Sequence, residues 1–224
     1  MNTSTRGRIA KNEGKLPEPV KRVSDDSLLA LESSVRRCRI CEGRFKATST
    51  SHSPKPIFWC SPKARILVAG QAPGARVHQS GVPFSDPSGD RLRHWMGVSN
   101  DEFYDKDRVA ILPMAFCFPG YDRNGGDIPP PAICAKTWRD KILQRLDAVE
   151  TTLLVGGYAQ KWHLRSKAPT VTATVRNWEG YAPSAYPLPH PSWRNNAWLK
   201  RNPWFETELL PNLRRRIRIL MGEN

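Results

Sequence analysis

Short apolar runs recur along the chain, and a Gly or Pro soon follows each of them. The first is Ile66–Ala69, the second spans residues 109–116, and the third, Thr151–Val155, ends at a Gly pair. A short fourth run begins at Tyr186. Uninterrupted apolar runs of this length are typical of strands that are buried on both faces of a parallel sheet.

Amphipathic segments alternate with these runs and predict helices. One begins at residue 24 and passes Val35, and another begins at Asp86, where Asp is a preferred N-cap and Pro87 suits the first helical position. Residues 135–146 place Trp138, Ile142, Leu143 and Leu146 on one face, and residues 198–221 predict further helices. Residues 43–63 predict an irregular connection. Strands that alternate with helices indicate an α/β fold whose parallel sheet is covered on both faces.

Three features that could bind a ligand or take part in catalysis lie at the predicted strand ends. Gly70–Gly74 is a turn whose backbone N–H groups can approach a ligand closely. Phe84, between Pro83 and Ser85, offers a flat face for a planar ligand, and His190 is held between two prolines. Because ligands bind beyond the carboxyl ends of parallel strands, these groups predict one site. The alternatives are an ordinary strand-to-helix loop and a surface histidine.

The charge balance adds a partner to this picture. The 224 residues carry a formal net charge of +14, which favours a polyanion such as nucleic acid, although it also serves solubility alone. Residues 1–23 predict a basic disordered tail, and residues 24–224 a single domain. Ser192, Trp193, Arg194 and Asn195 follow His190 and supply groups for phosphate contact and stacking.

The five cysteines and the hydropathy bear on compartment and metal. No apolar run approaches membrane-spanning length and the amino end lacks a signal-peptide core, so we expect a cytoplasmic protein without membrane contact. In a reducing compartment, cysteines indicate metal binding or burial rather than disulfides. Cys38 and Cys41 form a C-x-x-C pair, which is a metal signal if a second pair exists, and Cys60 stands alone.

Taken together, Gly70-Gln-Ala-Pro-Gly74, Gly81-x-Pro-Phe84 and His190-Pro-Ser192 resemble the signature segments of the uracil-DNA glycosylase superfamily. The order of these motifs and the cysteine pattern are most similar to its iron–sulfur branch, family 4, or to a bacterial sister group. The resemblance extends from Cys38 to the carboxyl end. It implies a three-layer α/β/α domain with a central four-stranded parallel sheet, which agrees with the pattern of apolar runs.

The resemblance also implies an enzyme that flips a damaged base out of DNA and cleaves its N-glycosidic bond. Phe84 would stack on the base, while the turn formed by Gly70, Ala72, Pro73 and Gly74 would bind it. His190 would donate a hydrogen bond to the base carbonyl, where negative charge develops. The segment Ser192, Trp193, Arg194 and Asn195 would contact the DNA strand. We expect a monomer that releases the free base.

Members of the iron–sulfur branch hold a [4Fe–4S] cluster on four cysteines. The matching positions here are Cys38, Cys41, Cys117 and Cys134, which leaves Cys60 out. Four thiolates also suit zinc, which is the alternative to the cluster, and unligated buried thiols are a third interpretation.

Two departures from the family pattern affect the expected chemistry. Ala72 stands where the most active relatives have the acid that orients water, so Gln71, His78 or Asp86 would do so, with Gln71 the first candidate. Pro113 stands where the branch has the Asn that reads uracil. Uracil stays the leading substrate, hypoxanthine and xanthine are alternatives, and a catalytically silent DNA-binding or damage-sensing protein is a different class of function. A hydrolase of free nucleotides fits the charge poorly.

Overall fold

The computed structural model describes residues 25–164 and 170–222. A single four-stranded sheet in these residues is formed by β1 (Ile66–Ala69), β2 (Val109–Ile111), β3 (Thr151–Val155) and β4 (Ala185–Leu188). All of its neighbouring strands are parallel, in the order β2-β1-β3-β4. The expected four-stranded parallel sheet is confirmed. The predicted basic tail, residues 1–23, lies outside the described residues.

Helices connect the strands and cover both faces of the sheet. They are α1 (Asp25–Arg36), α2 (Glu42–Lys46), α3 (Ala75–Ser80), α4 (Pro87–Met96), α5 (Asn100–Tyr104), α6 (Ala132–Cys134), α7 (Asp140–Leu143), α8 (Gly157–Leu164), α9 (Val171–Arg176), α10 (Asn196–Arg201) and α11 (Leu210–Met221). A π turn, Ala135–Arg139, joins α6 to α7, and a second, Phe205–Leu209, leads into α11. Short 3-10 turns lie at Trp178–Gly180 and Trp193–Asn195.

Alternate side chains of β1 pack into two different layers. Ile66 and Val68 belong to the core formed with α4, α5 and α11, whereas Leu67 packs with α1 and α7. Ala69 packs on the same face as Leu67, against α8. Because successive residues of a strand point to opposite faces, this division produces the expected three-layer α/β/α sandwich.

The structure corrects several expected boundaries. The second strand ends at Ile111 rather than at residue 116, because Pro113 has no N–H for the ladder and the amides of Met114 and Ala115 bond to Gly70 and Gln71 instead. The connection over residues 43–63 contains part of α2. The helix predicted over residues 135–146 spans Ala132–Leu143 and includes the π turn.

Other features match the sequence-based expectations. Asp86 is the N-cap of α4, and its carboxylate accepts a hydrogen bond from the Gly89 N–H. In residues 25–164 and 170–222, every helix is too short or too polar to cross a bilayer.

Candidate active site

A cleft of about 770 Å³ opens beyond the carboxyl ends of the strands. Gly70 follows β1, Pro113 follows β2 and His190 follows β4, and all three line the cleft. The chain leaves β1 for β2 on one side of the sheet and later passes to β3 on the other, so the cleft lies at the topological switch point. Its volume is within the range of small-molecule sites.

The structure brings together the residues that the sequence singled out for base binding, catalysis and DNA contact. The cleft is lined by Gly70, Gln71, Ala72, Pro73, Gly74, Phe84, His190, Ser192, Trp193, Arg194 and Asn195. Their convergence depends on three strand ends that are far apart in sequence. The roles assigned to them are still predictions.

The Phe84 ring is held in one place by its surroundings. A Cβ on Gly70 would lie 3.2 Å from Phe84 Cζ, so only a glycine lets the ring lie this close over the turn without displacing it. Phe103 meets the ring edge-to-face at a centroid distance of 6.0 Å. The ring is half-buried and lines the cleft, which leaves it accessible to a planar ligand.

The backbone of Phe84 is strained and is secured by neighbouring groups. Its φ is 54°, in the left-handed region that bulky residues rarely adopt. Arg93 Nη1 donates to the Phe84 carbonyl oxygen at 3.1 Å, and the Tyr104 hydroxyl lies 3.2 Å from the same atom. A Cβ on Gly89 would lie 1.7 Å from that oxygen, so Gly89 makes room for it. Strain of this kind persists only where surrounding contacts fix it, as these contacts do.

His190 is in a single tautomer and is electrically neutral at pH 7. The Ser192 N–H donates to His190 Nδ1 at 3.2 Å, so the ring proton is on Nε2, which is a hydrogen-bond donor. Burial lowers the pKa of His190 below its usual value, and the Asp86 and Asp127 carboxylates oppose part of that shift. A neutral donor on a fixed ring is what the predicted role of His190 requires.

The loop after His190 is fastened on three sides. Asn195 Nδ2 donates to the His190 carbonyl at 2.7 Å, and Arg91 on α4 donates to the Ser192 carbonyl at 3.1 Å. Arg194 pairs with Asp127 at 2.6 Å. Trp193 is 74% exposed and extends from this anchored loop toward solvent.

Sequence patterns missed several of these supporting residues. Arg91 and Arg93 look like ordinary helix-surface cations, and nothing local to Tyr104 or Asp127 links them to the cleft. Of the three candidates for orienting water, Gln71 and Asp86 line the cleft. His78 is not among its lining residues and packs against His52 and Phe118.

A second, much smaller cavity contains cysteine side chains. Cys38, Cys41, Cys117 and Cys134 all line it, and its other walls are apolar, including Val35, Phe45, Phe116 and Trp138. Cys60 does not line this cavity, since its thiol donates to Glu32 Oε1 at 3.0 Å. The two cysteine pairs, about 80 residues apart in sequence, therefore meet at one place.

The thiols of Cys117 and Cys134 are neutral at pH 7 as they stand. Burial raises the pKa of Cys117 to about 12 and that of Cys134 to about 11, and the neighbouring cysteines contribute to both shifts. Among the described residues, no group of three or more His, Cys, Asp or Glu side chains is arranged to hold a metal ion as it stands. The donor set nevertheless fits a thiolate-bound metal, since it consists of four sulfurs and the Phe116 N–H donates to Cys134 Sγ at 3.4 Å.

Comparison with known proteins then decides the family. The family model described as the uracil DNA glycosylase superfamily matches residues 57–214, which include the cleft and two of the four cysteines. The chain belongs to the uracil DNA glycosylase superfamily. Membership supports a glycosylase-type role on DNA, and the match gives no information on the base or on Cys38 and Cys41, which precede it.

Proposed function

We propose that this protein is a monofunctional DNA glycosylase that releases a deaminated base, uracil foremost, from DNA. The observation that carries the proposal is the cleft at the strand ends, where a secured aromatic ring and a neutral histidine donor line one cavity of a uracil DNA glycosylase superfamily protein. A base must leave the DNA stack to enter such a cleft.

In the proposed mechanism the flipped base stacks on Phe84 and lies against the backbone of Gly70, Ala72, Pro73 and Gly74. Cleavage of the N-glycosidic bond leaves negative charge on the base and positive charge on the sugar. His190 Nε2 donates to the base oxygen as this charge grows. Because burial already keeps the ring neutral and oriented, no reorganisation is needed during the reaction.

Water attacks the sugar after or as the bond breaks, and Gln71 is the proposed group that orients it. Gln71 is half-exposed in the cleft, directly after Gly70. Asp86 is the second candidate, since its carboxylate lines the same cleft and would also stabilise the sugar cation. Gln71→Ala and Asp86→Asn separate the two in single-turnover assays, because Asn preserves the helix cap that Asp86 provides.

The proposed DNA contacts come from the loop after His190. Trp193 would stack or wedge at the gap left by the flipped nucleotide, Arg194 would meet phosphate, and Ser192 and Asn195 would hold the loop. The net charge of +14 supports a polyanionic partner.

The proposed cofactor is a [4Fe–4S] cluster bound by Cys38, Cys41, Cys117 and Cys134, as in the iron–sulfur branch, with zinc as the alternative. Bound there, the group would supply structural cross-linking between α1, α2 and the segments that carry the other two cysteines. We also propose a monomeric cytoplasmic protein with one domain over residues 24–224.

Two residues of the cleft favour a different base specificity or a function without catalysis. Pro113 offers no side-chain amide to the cleft, which supports release of a different base such as hypoxanthine or xanthine. Pro113 together with Ala72, which lacks the water-orienting acid, supports a catalytically silent DNA-binding protein as the second candidate function.

The test is base release from single-stranded and duplex oligonucleotides that carry uracil, hypoxanthine or xanthine, with alkali to cleave abasic sites. Release of uracil is the expected result, and release of a purine alone would move the specificity to the alternative bases. Salt-sensitive binding without release from any substrate would contradict the glycosylase proposal and favour the silent binder. Product that stays covalently attached to protein on denaturing gels would contradict release of a free base.

A further inference from the structure

Residues 112–117 separate the two cavities of the molecule. Pro113 lines the cleft, whereas Ala115, Phe116 and Cys117 line the cysteine cavity. One short stretch of backbone therefore forms a wall of both sites.

Three successive amides of this segment bond to the two sites. The Met114 N–H donates to the Gly70 carbonyl at 2.8 Å, and the Ala115 N–H donates to the Gln71 carbonyl at 3.1 Å. The next amide, that of Phe116, donates to Cys134 Sγ. The base-binding turn and a proposed metal ligand are thus held by neighbouring peptide groups.

Arg139 fastens the beginning of the same segment. Its side chain is fully buried, and Nη1 donates to the carbonyl oxygens of Leu112 at 2.9 Å and Pro113 at 3.1 Å. Nη2 bonds to His163 Nε2 at 2.6 Å, where the imidazole accepts because burial keeps it neutral. A guanidinium has the fork geometry to reach these three acceptors together, and an ammonium does not.

The positive charge of Arg139 is only weakly compensated by carboxylates. Among the described residues it forms no ion pair, and its Nε has no hydrogen-bond partner. The charge of Asp140, the next residue, favours the protonated guanidinium, but the Asp140 side chain is exposed to solvent. The Arg139 Cζ atom lies 5.0 Å from the centroid of the Trp162 ring. This cation–π contact offsets only part of the cost of burying the charge. A buried charge in this state is costly unless negative charge lies nearby.

The cysteine site would provide that negative charge. Arg139 ends the π turn Ala135–Arg139, in which hydrogen bonds run from residue i to i+5, so Cys134 lies one turn before it on the same helix. Four metal-bound thiolates carry net negative charge even after the metal is counted.

We propose that Arg139 is a positioning residue that fastens residues 112–117 between the base-binding turn and the cysteine site, and that balances the negative charge of the metal-bound cysteines. The inference rests on the proposed cysteine-bound metal and goes beyond it, because it assigns one residue an effect on both sites.

The test compares Arg139→Met and Arg139→Lys with two controls. Ile142→Val removes a methylene group from the core on the same helical segment and measures the effect of lost stability alone. Arg145→Met removes a guanidinium that bonds instead to Ser27 and Lys141. Metal release to a chelator, the reduction potential if iron is bound, melting temperature, and single-turnover base release are measured on each purified holoprotein.

Arg139→Met is expected to release metal about 10–100-fold faster, to shift an iron site to more negative potential, and to slow base release. Arg139→Lys, which keeps the charge but not the fork, is expected to retain metal near the wild-type rate and still to slow base release. If Arg139→Met does not fold, the lysine variant decides. The controls are expected to change only melting temperature.

Three outcomes would overturn the proposal. They are unchanged metal release in Arg139→Met, wild-type base release in Arg139→Lys, or losses that follow melting temperature as in Ile142→Val. Wild-type protein that holds neither iron nor zinc would refute the metal proposal and this inference with it. Wild-type protein that binds metal but releases no base refutes the glycosylase proposal alone, and the metal readout of Arg139→Met then decides the inference.

Discussion

The cleft and the cysteine cavity are both lined by residues of the segment 112–117, and they differ in how complete they are. In the cleft, protein groups already bond to two atoms that fix its shape, His190 Nδ1 and the Phe84 carbonyl oxygen. In the cysteine cavity four thiols face apolar walls, and burial holds the thiols of Cys117 and Cys134 neutral. Protein contacts hold these groups of the first site, whereas our proposal is that a bound metal completes the second.

This difference sets what each site tolerates. A cleft fixed by protein contacts should retain its shape when one catalytic side chain is changed. A cavity completed by a metal should lose its bound group when one ligand is changed, because metal binding and local folding are coupled there. Variants on each side measure how far this contrast holds.

The largest expected effect is at the cysteine site. Loss of a residue that only hydrogen-bonds to a metal ligand lowers metal affinity by about 10–100-fold. Cys134→Ser should lower it further, because it removes a direct ligand. Metal content per protein, measured after anaerobic purification, gives the result. Cys60→Ser is the matched control, because its thiol bonds to Glu32 away from the cavity. Equal metal content in both variants would contradict the four-cysteine site.

The next effect tests the cleft. Phe84→Ala should weaken binding of the flipped base by about 1–3 kcal/mol, the usual range for loss of one base–aromatic stack. The measurement is the substrate concentration dependence of single-turnover base release. Phe84→Leu keeps most of the bulk but not the aromatic face, so it should resemble the alanine variant. A leucine variant with wild-type behaviour would show that the ring only fills space.

A third prediction concerns the region between the two sites. Burial, with a contribution from Arg139, lowers the pKa of His163 to about 3 in the folded protein. The unfolded chain therefore binds a proton first as pH falls below about 6.5, and stability should fall by up to about 1.4 kcal/mol per pH unit toward pH 3. Above about pH 6.5, His163 is neutral in both the folded and the unfolded chain and should not make stability depend on pH.

Urea unfolding of the wild type and of His163→Gln at a series of pH values measures this slope. The amide oxygen of Gln can still accept a hydrogen bond from Arg139 but does not titrate. The unfolding free energy of the variant should therefore fall less steeply with decreasing pH, by the slope that one titrating group contributes. Parallel curves for the two proteins would show that His163 is not kept neutral by burial.

The smallest expected effect is at the rim of the cleft. Trp193→Ala should weaken binding of damaged DNA by about 1 kcal/mol, roughly fivefold, because an exposed ring contributes only at the lower end of the stacking range. Base release at saturating protein should change little. A loss of release at saturation, with binding intact, would place Trp193 in the chemical step instead.

The sequence predicted the four strands, the cap at Asp86 and the residues that line the cleft because apolar runs and turn residues report local structure. It overestimated the length of β2. The apolar run that begins at Val109 continues past Pro113, but the hydrogen-bonded strand ends at Ile111. It missed α3, a helix of six residues directly after the Gly70–Gly74 turn.

The contacts that support the site could not be predicted from the sequence, for a different reason. Arg93 reaches Phe84 over nine residues, and Arg139 reaches Pro113 over twenty-six, so neither contact has a periodic signature. A fully buried arginine that forms no ion pair within the described part of the chain runs against the usual distribution of charged residues, and only the packed structure reveals it.

Base release from a uracil-containing oligonucleotide under single-turnover conditions at pH 7, with wild type beside His190→Ala, tests the central claim most directly. His94→Ala, which changes an exposed histidine on α4, is the control. Wild type and control should release uracil alike, and His190→Ala should be slower by about 10²–10³-fold with DNA binding retained, as for loss of one preorganised donor. Uracil release by His190→Ala at the wild-type rate would contradict the account.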